Sequence, residues 1–184
     1  ALVRNVARGA KDVGLFEIGL VVARDGEQTS APTEDVGVQP SPEVLAAIHR
    51  AVPRQPRHLA ILLAGDRDRA GWWGEGRPAD VSDVLGLVRS VADALAVPVV
   101  LSGSADVMPF HPGRCAAISL ADGTLVGHAG ELHPKVVAAL GLPSRSVAAE
   151  LDLDVLIAAS EDPVAAGALV PSPAAYTDLA VVVD

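Results

Sequence analysis

The chain has 184 residues, half of them hydrophobic and 3% aromatic, with 23 acidic against 14 basic residues and a formal net charge of −9. A chain of this length buries roughly 70% of its unfolded surface as one domain, and its single cysteine, Cys115, excludes a disulfide scaffold. No run approaches the ~18 consecutive apolar residues of a spanning helix, and a pI near 4.9 with few aromatics argues against a surface that neutralises phosphates and stacks on bases.

The chain opens Ala1-Leu2-Val3-Arg4-Asn5, with neither an initiator Met nor a basic segment leading an apolar one. That reads as a cytoplasmic chain without a secretory signal. Residues 13–22, apolar and closed by Asp25-Gly26, predict a buried strand. Residues 26–42 have no periodicity and predict a loop. Ser41-Pro42-Glu43 supplies an N-cap, a first-turn proline and an acidic first turn, predicting a short helix to about Arg50. Residues 58–65 predict a second strand.

The strongest helical pattern covers 80–96. Val81, Val84, Leu85, Val88, Val91, Ala92 and Leu95 form one apolar stripe, Asp80 caps it, and Pro98 stops it. Residues 97–103 predict a strand. Two further strands, 114–120 and 124–130, flank Ala121-Asp122-Gly123, a hairpin signal. Pro134 starts a helix that Gly141 ends, 150–153 reads as strand, and 154–160 as a short helix. Pro163, Gly167, Pro171 and Pro173 mark a linker, with a last strand from about Asp178. That apolar strand ends the sequence with nothing after it to pair against, so the expectation is a piece of a longer polypeptide. The whole predicts an α+β domain with a largely antiparallel sheet covered by helices on one side.

Few residues assemble into recognisable chemistry. His128 and His133 lack the further ligands and spacing that a metal requires. Cys115 lies in an apolar strand, where it behaves as a small hydrophobe. Ser102-Gly103-Ser104 and Ser119 have no nucleophile-elbow context. The glycine-rich segment 65–77 lacks the endings of a phosphate cradle, and its Trp72-Trp73 pair reads as pinning a surface loop onto the body or a partner. Two segments stand out. His111-Pro112-Gly113-Arg114 combines a pre-proline residue, a turn glycine and a strand-entry arginine. Gly130-Glu131-Leu132-His133-Pro134 runs strand into helix. Glu131 and His133 suit acid and base chemistry, and equally suit local turn hydrogen bonds that fix strand ends.

Taken in order, these pieces resemble the C-terminal half of the bacterial phenylalanine–tRNA ligase beta subunit family. The resemblance rests on Arg4-Asn5 with Arg8-Gly9, Leu15-Phe16-Glu17-Ile18-Gly19, Trp73-Gly74 and Asp80-Val81-Ser82-Asp83. It continues through His111-Pro112-Gly113-Arg114, Gly127, Gly130-Glu131-Leu132-His133-Pro134, Glu150-Leu151-Asp152-Leu153, Pro173 and residues 178–184. It implies a class II synthetase-like domain that has lost its catalytic residues, covering 1–166. Residues 167–184 then form a linker and the truncated first strand of an anticodon-binding ferredoxin-like domain. It further implies that His111, Pro112, Gly113, Arg114, Gly130, Glu131, His133, Pro134 and Asp178 are structural motif positions, with no catalytic, cofactor or metal residue in this chain. ATP and magnesium would belong to the parent enzyme. The implied partner is the catalytic alpha subunit in a cytoplasmic alpha/beta heterotetramer, with tRNA met through other domains and no membrane contact. Two departures from the family pattern are Leu85, where a lysine is common, and Thr177, where Arg or Gln often precedes the aspartate. A stand-alone acidic ligand-binding or dimerisation module, and a small hydrolase using Glu131 and His133, remain alternatives.

Overall fold

The computed structural model describes residues 1–22, 30–104, 106–160 and 176–182. In chain order, α1 (Leu2–Ala7) leads to β1 (Val13–Leu20), α2 (Pro42–Ala51) and β2 (Arg57–Ala64). Two short strands, β3 (Asp66–Asp68) and β4 (Arg77–Pro78), precede α3 (Val81–Ala94) and β5 (Val99–Ser104). Then follow β6 (Phe110–Leu120), β7 (Leu125–Leu132), α4 (Pro134–Leu140), β8 (Val147–Asp152) and α5 (Leu153–Ala159). Six strands form one sheet in the order β1-β2-β8-β7-β6-β5, every neighbour antiparallel. Among the described residues, the α+β expectation of an antiparallel sheet flanked by helices is met.

Local chemistry explains the helix starts. Ser41 Oγ accepts a hydrogen bond from Val44 N at 3.3 Å. Asp80 and Asp83 form a reciprocal capping box, Asp80 Oδ1 accepting from Ser82 N at 2.8 Å and Asp83 Oδ2 accepting from Asp80 N at 2.9 Å. The α3 stripe buries Val84, Val88 and Ala92 against Leu59, Ile61, Val147, Ala149 and Leu151 of the sheet and Leu156 of α5. The expected hairpin between β6 and β7 is present. Thr124 N donates to Asp122 Oδ1 at 2.8 Å, and Gly123 N donates to Leu120 O at 3.0 Å.

Several expectations are corrected. Helices do not lie on one side only, because Leu62 of β2, Ala148 of β8 and Cys115 of β6 leave a second apolar patch on the other face that needs cover. Leu62, Ala148 and Cys115 point away from α3 and meet Phe110, Leu132 and Val137 of α4. Nor is β1 a buried strand: Phe16, Ile18 and Leu20 are 75%, 57% and 64% exposed. It is the last strand of the sheet, and α3 and α5 pack over β2, β7 and β8, so its apolar face extends past their cover. The segment read as a loop, 65–77, forms the β3–β4 ladder closed by hydrogen bonds between Gly71 and Gly74. Its Trp72 and Trp73 are 94% and 67% exposed, in edge-to-face contact with each other rather than pinned to the body.

His111-Pro112-Gly113 lies inside β6, where the ladder shifts register between Phe110 and Cys115, rather than before the strand. β8 begins at Val147, three residues earlier than read. Residues 176–182 carry no strand, since a strand needs a ladder partner and none pairs with them among the described residues. The linker at 163–173 and the domain boundary at 166/167 lie outside the described residues.

Asp83 ties the β3–β4 ladder to α3. Arg77 Nη2 lies 2.7 Å from Asp83 Oδ1, and the Asp83 side chain is only 9% exposed. The Arg77 guanidinium, more than the Asp80 amide, holds the Asp83 carboxyl below its ordinary value of 3.8. A carboxylate so lowered stabilises the fold above its unfolded value and loses that contribution as pH falls through the lower folded one. Acid titration of Asp83→Asn, followed by circular dichroism, is therefore expected to lose less stability below pH about 4 than the parent chain.

Candidate functional site

Both segments singled out in the sequence meet at one end of the central strand β7. Two glycines let its neighbours close in. A Cβ at Gly127 would run into the backbone of Glu150 in β8, and one at Gly130 into the backbone of Arg114 in β6. With Gly130 opposite Cys115, Arg114 lands beside Glu131. Arg114 Nη1 donates to Glu131 Oε1 at 2.8 Å, and Arg145 Nε lies 3.7 Å from Glu131 Oε2. The Glu131 side chain is 6% exposed, and the two guanidinium groups are half exposed. A carboxylate so buried is retained by charged partners.

His133 has a different task. Its backbone N donates to Pro109 O at 2.8 Å, and its Nδ1 accepts from Lys135 N at 3.1 Å, which caps α4 ahead of Pro134. Its ring stacks with that of His111 at a centroid separation of 6.3 Å, while His111 Nδ1 is buried without a hydrogen-bond partner among the described residues. Pro112 and Gly113 form the register shift that carries β6 from Phe110 to Cys115, and Gly113 has φ 84°. Thus His111, Pro112, Gly113, Arg114, Gly130, Glu131, His133 and Pro134 are brought together. Asp178 is exposed in the 176–182 segment, outside any regular element.

Cys115 is buried, and burial pushes its thiol up, away from thiolate chemistry. A second polar group escaped sequence reasoning. On the sheet face opposite α3, His58 Nδ1 lies 2.7 Å from Glu150 Oε1, with Asp152 Oδ2 3.9 Å from His58 Nε2. Beyond them, Arg57 donates through its backbone N at 2.9 Å and its Nε at 2.7 Å to the Asp154 carboxylate. The backbone bond first, and then the guanidinium, lower the pKa of Asp154. The period-two spacing of Glu150 and Asp152 was the available signal. Their partner on β2, His58, lies 92 residues from Glu150 and 152 − 58 = 94 residues from Asp152, which no local pattern reveals. Among the described residues, no three His, Cys, Asp or Glu side chains converge as a cation site, and no helix is long and apolar enough to cross a membrane.

A family model described as the phenylalanyl tRNA synthetase beta chain CLM domain matches residues 1–153. The chain is 46% identical over 192 residues to the phenylalanine–tRNA ligase beta subunit of Thermobifida fusca, covering 100% of this chain and 22% of that protein. It is 44% identical over 187 residues to the corresponding subunit of Streptomyces avermitilis, again covering 100% and 22%. With that of Cutibacterium acnes it shares 42% over 184 residues, at the same coverage. The chain therefore spans about 22% of the length of these relatives.

The Glu131 cluster is asymmetric, with one buried acid between two half-exposed bases. Removing the closer base strands the buried charge, with only Arg145 at 3.7 Å. Arg114→Met is expected to lower the urea-unfolding free energy by about 2–3 kcal/mol. Arg145→Met, which removes the more distant partner, is expected to cost less than half of that.

Proposed function

The chain belongs to the phenylalanyl-tRNA synthetase beta chain CLM domain family, and on that premise we propose that it is a non-catalytic domain of a phenylalanine–tRNA ligase beta subunit. In this reading it supports ATP-dependent attachment of phenylalanine to tRNA by bracing the catalytic alpha subunit.

The engagement of Glu131 and His133 carries the reading. Glu131 meets arginines, His133 caps a helix, and each is used in holding β6, β7, α4 and the 145–146 turn together. A general base needs a free lone pair within hydrogen-bond reach of a substrate proton. The Glu131 carboxylate is instead taken up by Arg114 and Arg145, and His133 Nδ1 by the Lys135 amide. A six-stranded antiparallel sheet with helices on both faces accords with a class II synthetase-like fold whose site residues have been replaced by structural ones. Leu85 supports the same reading: it packs against the core where the family often carries a lysine.

The remaining assignments follow from the family. Residues 1–166 form the pseudo-catalytic domain, and 167–184 the linker toward the next. ATP and magnesium are held by the alpha subunit, tRNA is met through other domains, and the alpha/beta heterotetramer works in the cytoplasm.

Two measurements on purified protein test the proposal. The beta subunit carrying this chain is expected to co-purify with the alpha subunit in stoichiometric amounts, and the 184-residue chain alone is expected to give no phenylalanine-dependent ATP–pyrophosphate exchange. A beta subunit that fails to capture the alpha subunit, or exchange by the isolated chain, overturns it.

A further inference from the structure

A groove of about 690 Å³ runs along the α3 side of the sheet, floored by β1 and β2 and walled by α3 and α5. Phe16 lies opposite Ile61, and Ile18 opposite Leu59, so the exposed side chains of β1 continue the face that forms the core under α3. Phe16 and Ile18 remain 75% and 57% exposed, and Ile157 of α5, on the far wall, is 44% exposed. Among the described residues, this is an apolar layer that continues one strand beyond its helical cover.

We propose that this groove seats an amphipathic α-helix belonging to the same full-length polypeptide, outside these 184 residues. The inference rests on family membership and is independent of the bracing role. Three observations select the occupant.

The first is hydrogen bonding. Among the described residues, Ser90 is the only polar side chain lining the groove, and its Oγ already donates to Gly86 O at 3.0 Å. An extended segment would bring unpaired N–H and C=O groups against an apolar wall, whereas a helix satisfies them internally. A small polar ligand would find nothing to orient it.

The second is shape. Ser90 and Ala94 lie one turn apart on the α3 wall, and small residues let a second helix come close.

The third is area. Pairing β1 with the β1 of a second copy would bury on the order of 400 Å² of apolar side chain per partner, about half of what one side of a standard interface buries. A seat of that size favours a tethered occupant, for which the effective concentration is about millimolar. The relatives supply the tether, since this domain is 22% of their length.

The test places the photo-reactive benzoylphenylalanine at position 16 of the full-length polypeptide and maps cross-linked peptides by mass spectrometry. Phe16 is exposed, so the substitution leaves the fold intact. The expected principal product joins position 16 to a segment of the same chain outside these 184 residues, with apolar residues at helical spacing. Adding Ala94→Trp, an exposed position on the groove wall, is expected to abolish most of that product. Cross-linking to a second copy, to the alpha subunit or within the 184 residues overturns the proposal, as do the absence of a product and a product indifferent to Ala94→Trp. Because the readout is a contact within one chain, it stands or falls separately from capture of the alpha subunit.

Discussion

The close approach of β7 to both of its neighbours is the constraint on which the rest of the structure depends. Gly127 and Gly130 leave no room for a Cβ against the backbones of β8 and β6. Only with both strands drawn in does the sheet place Val147, Ala149 and Leu151 under Val84 and Val88. The same closeness brings Arg114 to Glu131. Packing and electrostatics are thus coupled at β7: the strand that centres the core also carries the buried acid, and two arginines from separate segments converge on it. A buried charge of this kind adds less to stability than its short distance suggests, because desolvation opposes it, but it allows one register and excludes neighbouring ones.

Periodic and capped features were legible in the sequence. The α3 stripe, the Asp80 and Ser41 caps and the Asp122-Gly123 turn are determined within a few residues, and the structure has them where local chemistry puts them. Features set by long-range neighbours were not legible. Strand composition in β1 is that of a buried strand, and nothing in residues 13–20 reports that the helices covering the sheet stop over β2. The β3–β4 ladder carries the Arg77–Asp68 ion pair at 2.8 Å across a charged, glycine-rich segment, a pattern that reads as loop because it lacks apolar alternation. In the 111–114 segment the turn residues predict a turn ahead of the strand. They instead make a register shift within it, and the distinction depends on how β7 pairs. The arginine partners of Glu131 come from 17 residues upstream and from a separate turn at Arg145, beyond any local spacing rule.

The charge balance takes on a different meaning in this light. A net charge of −9 argues against a nucleic-acid surface on this chain, and in the proposed assembly RNA contact falls to other domains. The chain also exposes apolar side chains. Phe16, Ile18 and Leu20 on β1 and the Trp72-Trp73 tip are large hydrophobic side chains left in solvent, a distribution suited to contacts with other polypeptide surfaces. The Glu131 carboxylate, by contrast, is buried between Arg114 and Arg145.

The central claim is that Glu131 and His133 hold the fold and take no part in turnover. The most direct measurement is steady-state aminoacylation by the assembled ligase carrying Glu131→Gln together with His133→Asn, with rates normalised to the intact complex determined by size-exclusion chromatography. The account predicts a kcat per intact complex within about twofold of the parent, well short of the 10²–10⁴-fold contribution of a general acid or base, with any loss appearing as a smaller yield of complex. A fall in kcat of a hundredfold or more, with the complex fully assembled, would contradict it.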